Sequence, residues 1–212
     1  MTTRLAFLSS ALAILALPAL AQYKLEPIAS GPPDLPAAYA SVVQSKGYRV
    51  TGPSGPWVEI WPRTTLAAGP KSSEDAVSFP TIPQGALLAI VRFPANGADR
   101  RGQTIKPGVY TLRYSMYPVN GDHQGVAPQR DFGLLSPIGE DKDPAATPAF
   151  DPLVAMSRKA SGTPHPAVLS LETPPGGAAV PSVNLEGEKD WSLTFKVGDT
   201  VMAIIVVGKA EA

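Results

Sequence analysis

The sequence predicts a mainly β protein, an antiparallel β-sandwich of about eight strands with two short helices. In residues 110–116 and 191–197, apolar or aromatic side chains alternate with polar ones, which is the two-residue period of a strand with one buried face. Residues 86–93 and 201–207 are nearly continuous apolar runs, too short for typical helices and suited to buried strands. Proline, at 24 of 212 residues, is about twice as frequent as in average proteins and stiffens the connections.

Shorter patterns place the remaining elements. Residues 22–33 are expected to form a poorly ordered lead-in to the folded domain. One helix is predicted over 34–46, with Asp34 as its N-cap, and a second over 151–159, with Asp151 as its N-cap and Gly162 beyond its end. The predicted strands comprise residues 48–51, 57–63, 86–93, 110–116, 132–135, 167–172, 182–185, 191–197 and 200–207.

The first 21 residues have the features of a signal peptide. Arg4 supplies the positive start, residues 5–17 are almost wholly apolar, and Ala19 and Ala21 are the small residues that a signal peptidase reads. The apolar run is shorter than the roughly 20 residues that span a bilayer. We therefore expect a leader over 1–21 and a single domain over 22–212, which is periplasmic or secreted and does not insert into a membrane.

The composition excludes several classes of function. The chain contains no cysteine, so disulfide scaffolds, thiol nucleophiles, thiolate metal sites and a lipoprotein anchor are all ruled out. Lys and Arg number 18 against 18 Asp and Glu, and this balance gives no electrostatic basis for binding nucleic acid. An exported chain without disulfides has to be held together by its apolar core, which 44% hydrophobic residues can supply.

The polar loop over 120–131 carries the densest group of reactive side chains. A histidine next to a carboxylate can serve as a general base or a metal ligand, and an arginine can bind a carboxylate or phosphate at two points. The predicted ligand-binding residues are these loop side chains and two tyrosines of the preceding strand, namely Tyr114, Tyr117, Asp122, His123, Arg130 and Asp131. The structural alternative is that residues 120–122 form a turn and that Arg130 and Asp131 form a local ion pair.

Three further chemistries fit the residue types without a recognisable spacing. The methionines and histidines of a copper site are present as Met116, His123, Met156 and His165. Carboxylates for glycoside cleavage are available as Glu59, Asp122, Asp131 and Glu172. Trp57, Glu59 and Trp61 alternate onto one face of a predicted strand, where they would either stack on a sugar or be covered by other elements.

The segment Lys106-Pro107-Gly108-Val109-Tyr110-Thr111-Leu112 is predicted to be a type II turn leading into a strand. It resembles the Pro-x-Gly-x-Tyr-x-Leu hairpins of several uncharacterised secreted bacterial β-sandwich proteins, with one residue fewer between Pro107 and Gly108. The resemblance covers about a quarter of the chain. It implies an exported bacterial sandwich and carries over no catalytic residue.

Enzyme signatures such as Gly-x-Ser-x-Gly, His-Glu-x-x-His and the phosphate-binding glycine loop are missing from the sequence. The sequence therefore favours a non-catalytic binding or accessory protein without a cofactor, whose partner is a small molecule or another protein. The alternatives are a copper- or zinc-handling periplasmic protein and a hydrolase.

Removal of the leader can be checked directly. We expect the protein produced from the full chain in a secreting bacterial host to begin at Gln22, because Ala19 and Ala21 occupy the positions read by the peptidase. Intact mass and N-terminal sequencing measure this. A membrane-bound product that still begins at Met1 would contradict the expectation.

Overall fold

The computed structural model describes residues 22–66, 69–117, 130–174 and 176–209. This described part is mainly β, with 43% of its residues in strands and 9% in helices. The strands of the described ranges are β1 (Lys24–Ile28), β2 (Gly47–Gly52), β3 (Gly55–Pro62), β4 (Leu87–Phe93), β5 (Gly97–Ala98), β6 (Thr104–Ile105), β7 (Gly108–Met116), β8 (Asp131–Pro137), β9 (Val168–Glu172), β10 (Ser182–Glu186), β11 (Asp190–Val197) and β12 (Thr200–Val207). The helices are α1 (Ala37–Ala40) and α2 (Phe150–Ser161).

One antiparallel sheet of ten strands dominates the fold, in the order β1-β2-β3-β4-β7-β8-β9-β12-β11-β10. The sheet is nearly barrel-shaped, and its edge strands β1 and β10 lie in contact. The prediction of an eight-strand sandwich was therefore wrong in strand number and in layering, although the antiparallel β class is confirmed. Alternating side chains suit the inside of a curled sheet as well as the inside of a sandwich, so the local pattern does not distinguish the two.

Side chains fill the interior of the curled sheet. A single cluster combines residues of nine strands, among them Val50, Ile60, Leu112, Phe195 and Ile204, each with no exposed surface. Phe79 and Ile82 enter the same cluster from the loop between β3 and β4. Burial of these apolar side chains stabilises a chain that has no disulfides.

Two smaller apolar clusters lie on the outer face of the sheet. Helix α2 packs against β8 and β9 through Leu153, Val154, Phe132, Leu134 and Val168. The segment around α1 covers β3 and β4 through Tyr39, Val43, Trp61, Leu87 and Ile90. Neither helix among the described residues is long and apolar enough to cross a membrane.

Both predicted helices exist, with different bounds and caps. The first is a single turn, and Asp34 does not cap it, because Asp34 lies outside the helix with a φ of 53° and Pro36 occupies the N-cap position. The second begins one residue before Asp151, so that Asp151 lies in the first turn, where a negative charge favours the positive end of the helix dipole. Gly162 ends α2 as predicted, since its φ of 68° is left-handed and its N–H donates to the carbonyl of Arg158.

The strands differ most from prediction at the start of the chain. Residues 24–28 form edge strand β1, paired with β2, where the sequence predicted a poorly ordered segment. Gly108 has a φ of 159°, which is nearly extended, so it begins β7 and is not the third residue of a type II turn. The hairpin of β11 and β12 is confirmed, with Val197 opposite Thr200 across the turn. The leader expected over 1–21 lies outside the described residues.

A buried guanidinium fixes the loop between β8 and α2 onto the outer face of the sheet. Arg113 of β7 has no exposed surface, and all five of its N–H donors are used. Two bonds reach the carboxylate of Asp141, with Nε at 2.5 Å from Oδ2 and Nη2 at 3.0 Å from Oδ1. The other three reach backbone carbonyls at residues 85, 143 and 146. Arg113 thus fixes the path of this loop over residues 141–146.

Replacing Asp141 by asparagine should destabilise the fold by about 3–5 kcal/mol at pH 7, because Arg113 would keep its charge while buried without a partner. Burial alone would raise the pKa of Asp141, but hydrogen bonds from Arg113 and Thr111 and the charge of Arg113 outweigh it and lower the pKa. The carboxylate therefore stabilises the fold above its unfolded pKa of about 3.9 and loses this effect as pH falls through the lower folded pKa.

Urea unfolding at pH 7 and at pH 3 measures the effect, with Glu188→Gln, which removes an exposed carboxylate, as the control. The gap between wild type and Asp141→Asn should narrow at pH 3. A gap below 1 kcal/mol at pH 7 would show that the pair does not hold the loop.

Candidate functional site

Four of the six predicted ligand-binding residues are described, and the structure brings them together at one end of the curled sheet. Asp131 begins β8 directly opposite Met116 at the end of β7, and Tyr114, Tyr117 and Arg130 lie close by. Asp122 and His123 lie outside the described residues, so their part of the prediction stays a prediction. We refer to Tyr114, Tyr117, Arg130 and Asp131 as the Asp131 cluster.

The carboxylate of Asp131 is completely buried and holds the loop that closes this end of the sheet. Its Oδ2 accepts the N–H of Ser78 at 2.8 Å, and its Oδ1 accepts the N–H of Phe79 at 3.1 Å. The hydroxyl of Tyr114 donates to Oδ1 at 2.7 Å. Burial raises the pKa of Tyr114, and its hydrogen bond to Asp131 raises it further, so this hydroxyl stays protonated. These bonds place the ring of Phe79 in the core.

Arg130 is also engaged by the protein. Its Nη1 binds Oε2 of Glu74 at 2.7 Å, and its Nε and Nη2 donate to the carbonyl of Tyr117 at 3.2 and 3.1 Å. The guanidinium lies 5.8 Å from the ring centre of Tyr117, which stacks on Phe132. The local ion pair with Asp131, which was the structural alternative, does not form, because Arg130 pairs with Glu74 instead. The Asp131 cluster therefore joins segments of the fold and uses its polar atoms to do so.

The tryptophans of β3 do not form the shared stacking face that alternation suggested. Trp61 is 1% exposed and lies under the segment around α1, with its Nε1 bound to the carbonyl of Ser30. Glu59 is 2% exposed and binds two arginines of neighbouring strands. Trp57 is half-buried against the interior cluster, separate from both. A pairing irregularity between Val50 and the next residue of β2 accompanies this change along β3.

Among the described residues, those predicted for glycoside cleavage or copper binding do not come together in one site. Of the carboxylates considered for glycoside cleavage, Glu59 and Asp131 lie on different strands and bind separate structural partners. Burial and, to a smaller extent, the charge of Glu186 raise the pKa of Glu172. Met116 packs on the interior cluster, whereas Met156 packs on the outer face with α2. No group of three His, Cys, Asp or Glu in the described ranges is placed to hold a metal ion. The metal and hydrolase alternatives stay untested predictions.

One open cleft of about 370 Å³ is lined by Arg101, Gly102, Gln103 and His165. Its floor is a hydrogen-bonded network in which the carboxylate of buried Asp99 accepts the backbone N–H groups and the side chains of Arg101 and Gln103. Both side chains also donate to the carbonyl of Pro166. The polar groups that face this cleft are therefore largely committed to shaping the loop over 99–105.

A second concavity, of about 190 Å³, differs in being aromatic and uncharged; we call it the hairpin groove. It lies at the β2–β3 turn, and its lining consists of Tyr23, Gly52, Pro53, Ser54, Gly55, Pro56, Trp57, Ala95 and Asn96. The rings of Tyr23 and Trp57 meet edge to face at 6.5 Å, and Tyr23 also contacts Trp191 at 5.4 Å. No lining residue carries a formal charge.

The aromatic wall of the hairpin groove is held rigidly. The indole N–H of Trp57 donates to the carbonyl of Val206 at 2.7 Å, which ties β3 to β12 across the mouth of the curled sheet. A Cβ atom at Gly52 would lie 2.5 Å from Cε1 of Tyr23, so only glycine lets the tyrosine ring rest on this turn. Within the described part of the chain, the exposed side chains of Ser54 and Asn96 make no hydrogen bond to the protein.

Comparison with protein-family models, with curated proteins and with solved structures finds no match to this chain.

Replacing Asp131 by alanine should lower the free energy of unfolding by roughly 2–4 kcal/mol, because the buried N–H of Phe79, the part-buried N–H of Ser78 and the hydroxyl of Tyr114 would lose their acceptor. Urea unfolding followed by tryptophan fluorescence measures this, with Glu188→Gln again as the surface control. A loss below 0.5 kcal/mol, the size of a typical surface substitution, would show that the Asp131 cluster is not structural and would restore it as a candidate ligand site.

Proposed function

We propose that this chain is an exported, non-catalytic binding protein whose ligand occupies the hairpin groove. The observation that carries the proposal is the composition of the groove: two partly exposed aromatic rings, fixed in place, beside polar side chains that the protein leaves unused. Concave aromatic surfaces with a few polar groups are the usual form of a small-molecule site. The leader predicted over 1–21 is the basis for proposing export.

The contrast with the Asp131 cluster supports this choice of surface. Side chains that already bond within the protein would have to give up those bonds to receive a ligand, at a cost in free energy. Arg130 and Asp131 are in that position, whereas Ser54 and Asn96 are exposed and unengaged within the described residues. The groove can therefore bind a ligand without disturbing the fold.

A thermal-shift screen against a library of neutral small molecules tests the proposal. A ligand present at ten times its dissociation constant should raise Tm by about 3–6 °C for a chain of this size. Tyr23→Ala should abolish the shift, because it removes one wall of the groove. Tyr117→Ala, which truncates another partly buried tyrosine at the opposite end, is the matched control and should retain it.

The two variants together show which end of the sheet binds the ligand. A shift that survives Tyr23→Ala and disappears in Tyr117→Ala would place the ligand at the 120–131 loop and contradict the proposal. Turnover of any library compound by the wild-type protein would contradict the absence of catalysis.

A further inference from the structure

We infer that the hairpin groove takes one ring of a neutral carbohydrate. This inference rests on the proposed function, since it names the class of ligand for the same groove. Its basis is the combination of two aromatic rings that meet edge to face, an uncharged lining, unengaged hydroxyl and amide groups at the rim, and a volume of about 190 Å³. Each of these features limits the chemistry of the ligand.

The aromatic wall selects a ligand with an apolar face. The C–H bonds on one face of a pyranose ring carry a small positive charge because of the neighbouring oxygens, and they pack on the negative face of an aromatic ring. Tyr23 and Trp57 supply two such rings, which meet edge to face, and Trp191, which does not line the groove, contacts Tyr23. A ligand that is polar on all sides would leave these rings without a matching surface.

The rim selects a ligand that carries hydroxyl groups. The amide of Asn96 offers both donors and an acceptor, and the hydroxyl of Ser54 offers one donor and acceptor sites. A pair of adjacent sugar hydroxyls needs this mixture, because each hydroxyl both donates and accepts. Both side chains are exposed and line the groove from opposite segments, one from the β2–β3 turn and one from the loop after β4.

The absence of formal charge in the lining selects a neutral ligand. A uronate or a sugar phosphate would lose water around its charge without gaining an arginine or lysine among the lining residues. Burial raises the pKa of Tyr23, so its phenol also remains neutral at ordinary pH. The groove should therefore discriminate against acidic glycans.

Size and hydrogen bonding favour a sugar over a proline-rich peptide, the other ligand that aromatic grooves take. Peptide grooves follow an extended chain over several residues, whereas this volume lies below the roughly 300–1,000 Å³ of sites for drug-sized ligands. The indole N–H of Trp57, which could otherwise bind a peptide carbonyl, is already bonded to Val206. The groove thus fits one ring at the end or side of a glycan.

The test is a titration of the protein, produced from the full chain, with cellotriose, maltotriose, polygalacturonate and a proline-rich decapeptide, followed by tryptophan fluorescence and calorimetry. One pyranose ring has about 12 heavy atoms, which at ordinary ligand efficiency corresponds to a dissociation constant of about 1 mM. At least one neutral oligosaccharide should bind in this range. Asn96→Ala should weaken that binding about tenfold and Tyr23→Ala should reduce it below detection, whereas Tyr117→Ala should leave it unchanged.

The outcomes separate this inference from the proposed function. Binding of the peptide or polygalacturonate, lost in Tyr23→Ala, with no binding of either neutral saccharide would overturn the carbohydrate inference and leave the groove as the binding site. Saccharide binding that is unaffected by Tyr23→Ala and Asn96→Ala would overturn the assignment to this groove. If none of the four probes and no library compound binds in a Tyr23-dependent way, both proposals fail. A melting curve of each variant confirms that it is folded.

Discussion

The near-closure of one ten-stranded sheet is the constraint on which the other features depend. Curling the sheet until β1 and β10 meet turns one face of every long strand inward, and large apolar side chains then fill the enclosed space. Because the interior is a packed core, surfaces for binding lie at the ends and on the outer face. Closure also brings Tyr23, next to β1, against Trp191 of β11.

Polar and charged side chains fix the positions of the loops and the register of neighbouring strands, which burial of apolar side chains does not specify. Arg113 and Asp141 fix a long loop onto the outer face, and Asp131 fixes the residues around Phe79 at one end. A row of alternating charges crosses β1 to β4 through Glu26, Arg49, Glu59 and Arg92 in direct cross-strand register. Such contacts are directional, so they determine which segments meet, whereas apolar burial mainly determines how strongly they are held.

Local pattern was enough to predict most strands and the identity of the second helix. The alternation of residues 191–197 and the apolar run after Gly198 define a hairpin by themselves, and the structure confirms it. Closure could not be predicted in this way, because it depends on contact between strands far apart in the chain, namely the edge strands β1 and β10. Strand β1 was missed for the same reason: residues 24–28 become a strand by pairing with β2.

The candidate site shows the same division between local and long-range information. Their reactive side chains made Arg130 and Asp131 candidate ligand-binding residues. In the structure, Arg130 binds Glu74 and Asp131 accepts two backbone N–H groups, and the sequence spacing does not reveal these partners. The hairpin groove was missed because Tyr23 comes from a segment expected to be poorly ordered. The signal that was available is the glycine- and proline-rich turn followed directly by Trp57, since such a turn allows close approach by an aromatic ring.

Mapping a bound ligand by NMR tests the central claim most directly. Adding a neutral oligosaccharide to the ¹⁵N-labelled protein should shift the backbone amides of Gly52, Ser54 and Asn96 and the indole N–H of Trp57, all at the hairpin groove. The amides of Arg130 and Asp131 should stay in place. Shifts confined to Arg130, Asp131 and Tyr117 would contradict the account and move the binding site to the opposite end of the sheet.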